Sequence, residues 1–149
     1  MRFKLPLILS FLLISLFSNA QDFENRQDAI DYLNNANIWV SGLPEYSLDH
    51  ENAMLNVLLK SDAGSVTTSI PLAKVKTDLK LGKMVLVEIN CPNKEMCVTA
   101  QTNNTVIEVD GLTLLMSSAF DDGSYEDKYQ EEGAKVANAI DYLISVYKE

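Results

Sequence analysis

Two cysteines, one histidine and a run of carboxylates are the side chains here whose types and spacing could do chemistry. Cys91 and Cys97 enclose Pro92, Asn93, Lys94, Glu95 and Met96. A redox dithiol usually has two intervening residues rather than five. A metal centre on this pair would need two further ligands in a chain with a single histidine. In an oxidising compartment a close, even pair reads as a structural disulfide. Its loop is short, so the chain-entropy gain is about 2 kcal/mol. His50 as a general base would need a nucleophile or a metal beside it, and its sequence neighbours offer neither. Its alternation with Tyr46 and Leu48 makes it a strand residue facing the rim of the core. Asp121, Asp122, Glu126 and Asp127 form an oxygen-rich cluster of the kind that can hold Ca²⁺. Their spacing does not match an EF-hand loop, and an acidic helix start favoured by the helix dipole is the plainer reading. There is no Gly-x-Ser-x-Gly elbow, glycine-rich phosphate loop or His-Glu-x-x-His. The expectation is a protein that is not an enzyme and carries no cofactor or resident metal.

Two aromatic residues are candidates for binding rather than catalysis. Trp39 and Tyr46 flank Gly42, Leu43 and Pro44, where they could rim an apolar pocket or a partner patch. Core packing is the alternative for both. Asn103, Asn104 and Thr105 match a glycosylation acceptor, but they read equally as a turn.

These residues need elements to hold them. Asn25 or Asp22 can cap a first helix, along which Ala29, Ile30, Leu33 and Ala36 repeat at helical spacing. Residues 46–118 carry β signals. Strands are predicted at 46–50, 54–60, 66–70, 75–81, 84–90, 98–102, 105–109 and 112–116. Ser61–Ser65 and Asn103–Asn104 supply turn chemistry, and Pro71 limits its strand to an edge or an end. Asp110–Gly111 reads as a tight hairpin turn. The cysteines then sit at the base of a hairpin between 84–90 and 98–102. A long amphipathic helix closes the chain, opened by Ser124 with Asp127 in an approximate capping box. Its apolar stripe runs through Tyr129, Val136, Ile140, Leu143 and Tyr147, with Gly133 in mid-helix. The word Ala-Ile-Asp-Tyr-Leu occurs at 29–33 and again at 139–143. Either both helices dock on similar grooves, or two amphipathic helices reuse a favourable word. The fold class is therefore α+β: an N-terminal helix, an antiparallel sheet of six to seven strands or a partly open barrel, and a long C-terminal helix.

The first twenty residues follow the recipe of a cleavable export signal. Arg2 and Lys4 give a basic start, and Leu5–Phe17 is an apolar run of 13 residues broken only by Ser10 and Ser15. That falls short of the roughly 18 to 20 residues needed to span a bilayer. Ser18 and Ala20 provide a small–x–small junction, so the cut is expected between Ala20 and Gln21, leaving one domain at 21–149. No cysteine at the cut argues for a lipid anchor. Losing Arg2 and Lys4 takes Lys plus Arg from 12 to 10 against 21 acidic residues, a formal charge of −11. Such a surface repels phosphate backbones and anionic lipid, so nucleic acid is a poor partner and no stable membrane insertion is expected after cleavage. The leader resembles export signals of Gram-negative Bacteroidota.

Successive antiparallel strands at Tyr46–Ser118, followed by one amphipathic helix at Ser124–Tyr147, resemble the pleckstrin-homology-like superfold. The resemblance lies in pattern rather than motif and covers most of residues 21–149. The family's phosphoinositide binders place basic residues in the first hairpin loop, whereas Ser61–Ser65 carries Asp62 and no Lys or Arg. The tryptophan of the family's final helix is absent, since Trp39 is the only one. Folds of this kind host many functions. The expected function is a non-enzymatic binding or adaptor domain, periplasmic or secreted, whose partner is an envelope or extracellular protein. A carrier of a small apolar ligand is the alternative, drawing on Met54, Met84 and Met116. An unrecognised hydrolase is the third reading.

Overall fold

The computed structural model describes residues 23–36, 44–82, 84–117 and 126–148. Asn25 opens α1 (Arg26–Asn35), its Oδ1 accepting from the backbone N–H groups of Gln27 (2.9 Å) and Asp28 (3.1 Å). Two donors that a helix start leaves unpaired are thereby satisfied. Eight strands follow: β1 (Glu45–Asp49), β2 (Met54–Ser61), β3 (Gly64–Pro71), β4 (Lys76–Lys80), β5 (Met84–Asn90), β6 (Val98–Gln101), β7 (Val106–Val109) and β8 (Gly111–Ser117). The last element is α2 (Glu126–Tyr147). The strands form two antiparallel sheets, one in the order β1-β2-β3-β6-β7 and one in the order β4-β5-β8. The α+β class holds; the eight strands among the described residues divide into two open sheets rather than one sheet of six or seven.

The division into two sheets has a physical cause. Residues 84–101 and 106–117 form one long hairpin that bends from the three-stranded sheet into the five-stranded one. Asn90 pairs with Gly111 and Val98 with Val109, so residues 91–97 loop out opposite Asp110 alone. Cys91 N–H donates to the Asp110 carbonyl at 2.8 Å, and the Cys91–Cys97 disulfide closes the loop. Strands that change sheets do so at bulges and bends of this kind. This corrects two expectations. The segments 84–90 and 98–102 do not pair with each other, since β5 pairs with β4 and β8 while β6 pairs with β3 and β7. Asp110–Gly111 is the corner, not a hairpin turn. A Cβ on Gly111 would stand 2.5 Å from the Ile89 carbonyl oxygen, so the backbone approach itself demands glycine.

Alternation along the strands sends one face into a single core. Leu55 and Val57 of β2, Ile70 of β3, Val85, Val87 and Ile89 of β5 and Val98 of β6 are all buried. α2 packs on β4, β5 and β8, and α1 packs on α2 and β1. Val136, Ile140 and Leu143 are the fully buried positions of the predicted stripe, joined by Ala137, Ala139 and Ile144. Each fully buried aliphatic side chain contributes about 2 kcal/mol. Pro71 ends β3, as its missing donor requires. The predicted strand to Leu81 stops at Lys80, and Leu81 is exposed. Ser124 and its capping box lie outside the described residues.

The repeated word has a structural counterpart. In both copies Ala, Ile and Leu are buried, Asp is exposed and Tyr is half-buried. The tyrosines, Tyr32 and Tyr142, both meet Phe23, with ring centroids 5.8 Å and 5.7 Å away. The Tyr32 hydroxyl donates to Glu132 across the helix pair at 2.9 Å. Burial first, and Glu132 second, push that phenol well above its ordinary range. One defect lies on β4. Thr77 on β4 has its Oγ1 buried with no hydrogen-bond partner. Thr77→Val is expected to raise stability by about 1 kcal/mol in a denaturant melt, because it removes a desolvated hydroxyl at nearly constant shape. A loss of stability would show that the hydroxyl is satisfied in solution.

Candidate functional site: an open sheet edge and a polar cleft

A sheet edge carries unpaired N–H and C=O groups and is a template for another strand unless it is blocked. The five-stranded sheet ends in β1 on one side and β7 on the other. The β1 edge is capped at Tyr46. Tyr46 N–H donates to Asn34 Oδ1 at 2.7 Å, and Asn34 Nδ2 donates to the Tyr46 carbonyl at 3.0 Å. A side-chain amide on α1 thus takes the place of a neighbouring strand. In the smaller sheet the β4 edge is guarded differently: Lys76, Asp78 and Lys80 face solvent along it, and charges on an edge deter pairing.

Among the described residues β7 has no such side-chain cap, and its one charge is Glu108. Val106, Ile107 and Glu108 are all exposed, with Val106 at 61% and Ile107 at 52%. Thr102 N–H bonds the Thr105 carbonyl at 2.9 Å and closes the β6–β7 turn. Antiparallel ladders alternate hydrogen-bonded and non-bonded pairs. Ile107 and Val109 therefore turn their backbone groups toward β6, while Val106 and Glu108 turn theirs outward. Those outward N–H and C=O groups can receive an extended chain. The two side-chain faces differ as well. Ile107 and Val109 lie opposite Ala100 and Val98, continuing the core face, whereas Val106 and Glu108 lie opposite Gln101 and Thr99. Residues 98–117 contain Glu108 and Asp110 and no Lys, Arg or His. Beside this edge, the β2–β3 and β6–β7 turns enclose a groove of about 300 Å³, lined by Ser61, Ser65, Val66, Thr102, Asn103 and Asn104 among others. Asn103 and Asn104 thus form the predicted turn.

A second cleft, of about 450 Å³, lies between the start of α1 and the end of α2, with Glu24, Arg26, Gln27, His50, Tyr142 and Val146 in its wall. His50 is exposed in the turn after β1 rather than on a strand at the core rim. The turn is made by Asp49, whose carboxylate accepts from the Asn52 side chain at 2.7 Å and from the backbone N–H groups of Asn52 and Glu51. Chiefly the Asn52 amide holds that carboxyl below the usual carboxylate range. His50 Nδ1 lies 2.9 Å from the Tyr147 hydroxyl, and the Arg26 guanidinium stacks 4.7 Å from the Tyr147 ring centre. The pair ties the β1–β2 turn to the end of α2, and the cation suits the negative end of that helix. Among the described residues the cleft wall holds no Ser, Thr or Cys nucleophile, and no carboxylate bonds the imidazole.

The other predicted residues fall as follows. The Cys91–Cys97 disulfide is formed. Tyr46 is 4% exposed and packs in the core, where burial pushes its phenol well above its ordinary range. Trp39, Asp121 and Asp122 lie outside the described residues, as do the side chains of Glu126 and Asp127. Among the described residues no three His, Cys, Asp or Glu side chains converge as a metal site, and no helix is long and apolar enough to cross a membrane. The sequence reading missed the β7 edge. Its only local signal was the pair Val106–Ile107, apolar on both faces of one strand. No protein-family model matches the chain, and no curated protein or solved structure matches it either.

Proposed function

We propose that this chain is an exported, non-enzymatic binding or adaptor domain of the bacterial envelope that takes its partner as an added strand on β7. The carrying observation is the contrast between the two ends of one sheet: Asn34 caps the β1 edge at Tyr46, while among the described residues no side chain caps β7, where Val106 and Ile107 are exposed beside Glu108. Proteins generally block such edges, and strand addition is a common mode of peptide recognition. The disulfide and the leader at 1–20 support export to the periplasm or beyond. The run of antiparallel strands ahead of a long C-terminal helix supports the pleckstrin-homology-like reading at the level of pattern. The apolar-carrier alternative has less support. The layer between β5 and α2 is filled by Val85, Val87, Ile89, Val136, Ile140 and Leu143, all buried, and Met84 faces solvent.

The test is Val106→Pro. The Val106 N–H faces away from β6, and the first residue of an edge strand is where proline is tolerated. The variant is expected to keep the circular dichroism and melting temperature of the parent. In affinity capture from an exporting Gram-negative host, the partner recovered with the parent is expected to be lost with Val106→Pro. Equal recovery with both would overturn the reading.

A further inference from the structure

Resting on that strand-addition reading, we propose that the occupant of β7 is an extended segment of a partner protein in which basic and aliphatic residues alternate. The two faces of β7 set the pattern. A strand laid along its outer edge puts every second side chain on the face of Ile107 and Val109, where exposed apolar surface continues the buried Val98. The intervening side chains fall on the face of Glu108. Directly opposed opposite charges favour cross-strand pairing and like charges oppose it. Asp110 extends the acidic stretch, and no cation within residues 98–117 offsets it. In the adjoining disulfide loop, Lys94 and Glu95 are both exposed and cancel.

The same charges weigh against a second copy of this chain. Two β7 strands paired antiparallel about Glu108 would set Glu108 directly against its counterpart. Paired about Ile107, they would oppose Glu108 to Val106 and gather four carboxylates along one short seam without a cation. The groove beside the strand is lined by uncharged hydroxyl and amide groups of Ser61, Ser65, Thr102, Asn103 and Asn104. It can bond the main chain of a segment running past the end of β7 without adding a charge preference of its own.

The experiment uses three capped synthetic heptapeptides titrated into the mature protein, with backbone amide shifts of β7 as the readout. Their sequences are Lys-Ile-Lys-Val-Lys-Ile-Lys and the same frame with Ser or with Glu in place of Lys. The Lys peptide is expected to bind about tenfold more tightly than the Glu peptide, with the Ser peptide between them. The gap is expected to narrow as salt rises from about 0.05 to 0.5 M. Glu108→Lys should reverse the order. Val106→Pro, which leaves the charge unchanged, should abolish binding of all three. Equal binding of the three peptides, all lost in Val106→Pro, would overturn the basic partner while leaving strand addition standing. Lys-peptide binding that survives Val106→Pro would overturn strand addition itself. A dimer in native mass spectra, lost in Val106→Pro, would overturn the proposal in favour of a second copy.

Discussion

Ile140→Ala is expected to lower the unfolding free energy by about 3–4 kcal/mol and the melting temperature by roughly 10 °C or more. Ile140 is fully buried on α2, the helix that contacts both the three-stranded sheet and α1. Truncation there leaves a cavity bounded by elements that are themselves packed on one another, so little can collapse into it. Ile30 is the matched residue of the repeated word and is 5% exposed. α1 lies at the margin, against α2 and β1, so its surroundings can close over the gap. Ile30→Ala is expected to cost about 2 kcal/mol, at the lower end of the range for such changes. Chemical denaturation of the two variants measures both values. Equal losses would show that the two copies of the word bear equal shares of the core, and that α1 is no more yielding than α2.

Removing the disulfide is expected to have the next largest effect. Loop closure alone accounts for about 2 kcal/mol, and the buried Cys91 side chain adds to it. The pair Cys91→Ala and Cys97→Ala together is expected to cost about 2–4 kcal/mol. The loss should not be uniform. The disulfide closes the seven-residue loop at the corner where β5 passes into β6, and the far half of that hairpin, β6 and β7, joins the rest of its sheet only through the short β3–β6 ladder. Hydrogen exchange is expected to show β6 and β7 losing protection while β5 and β8 retain most of theirs, because local openings cost least where few buried contacts hold an element. The same variant should bind peptides on β7 more weakly, since the accepting edge is no longer held. Unchanged exchange at 98–109 would show that the Cys91–Asp110 hydrogen bond and the β3–β6 ladder hold the corner without the cystine.

Much of the architecture was legible because it is written in short-range chemistry. Asn25 as a cap, the alternation at 84–90, Pro71 as a strand end, the Asn103–Asn104 turn and the final amphipathic stripe each depend on residues a few positions apart. The cystine was legible from the number and spacing of the cysteines together with the oxidising compartment that the leader implies. The turn at Asp110–Gly111 misled because the residues that make a tight hairpin also suit a corner, and the two differ only in what the flanking strands pair with. His50 was misplaced for a related reason. Its alternation with Tyr46 and Leu48 continued one residue past the point where the Asp49 carboxylate turns the chain.

By itself, then, the sequence determined the α+β class, the cap of the first helix, the segments able to be strands and the presence of a cystine staple. Each is a property of local periodicity, backbone preference or thiol count. The tertiary structure decided which strands are neighbours, and with that everything proposed about binding. β6 lies beside β3, some thirty residues earlier in the chain, so β7 rather than any other strand finishes the sheet. Asn34 closes the opposite edge only because α1 folds back on β1. Val106, Ile107 and Glu108 read the same in a buried strand as in an open edge. What separates the two is an absent neighbour, and neighbours are set by contacts between residues far apart in the chain.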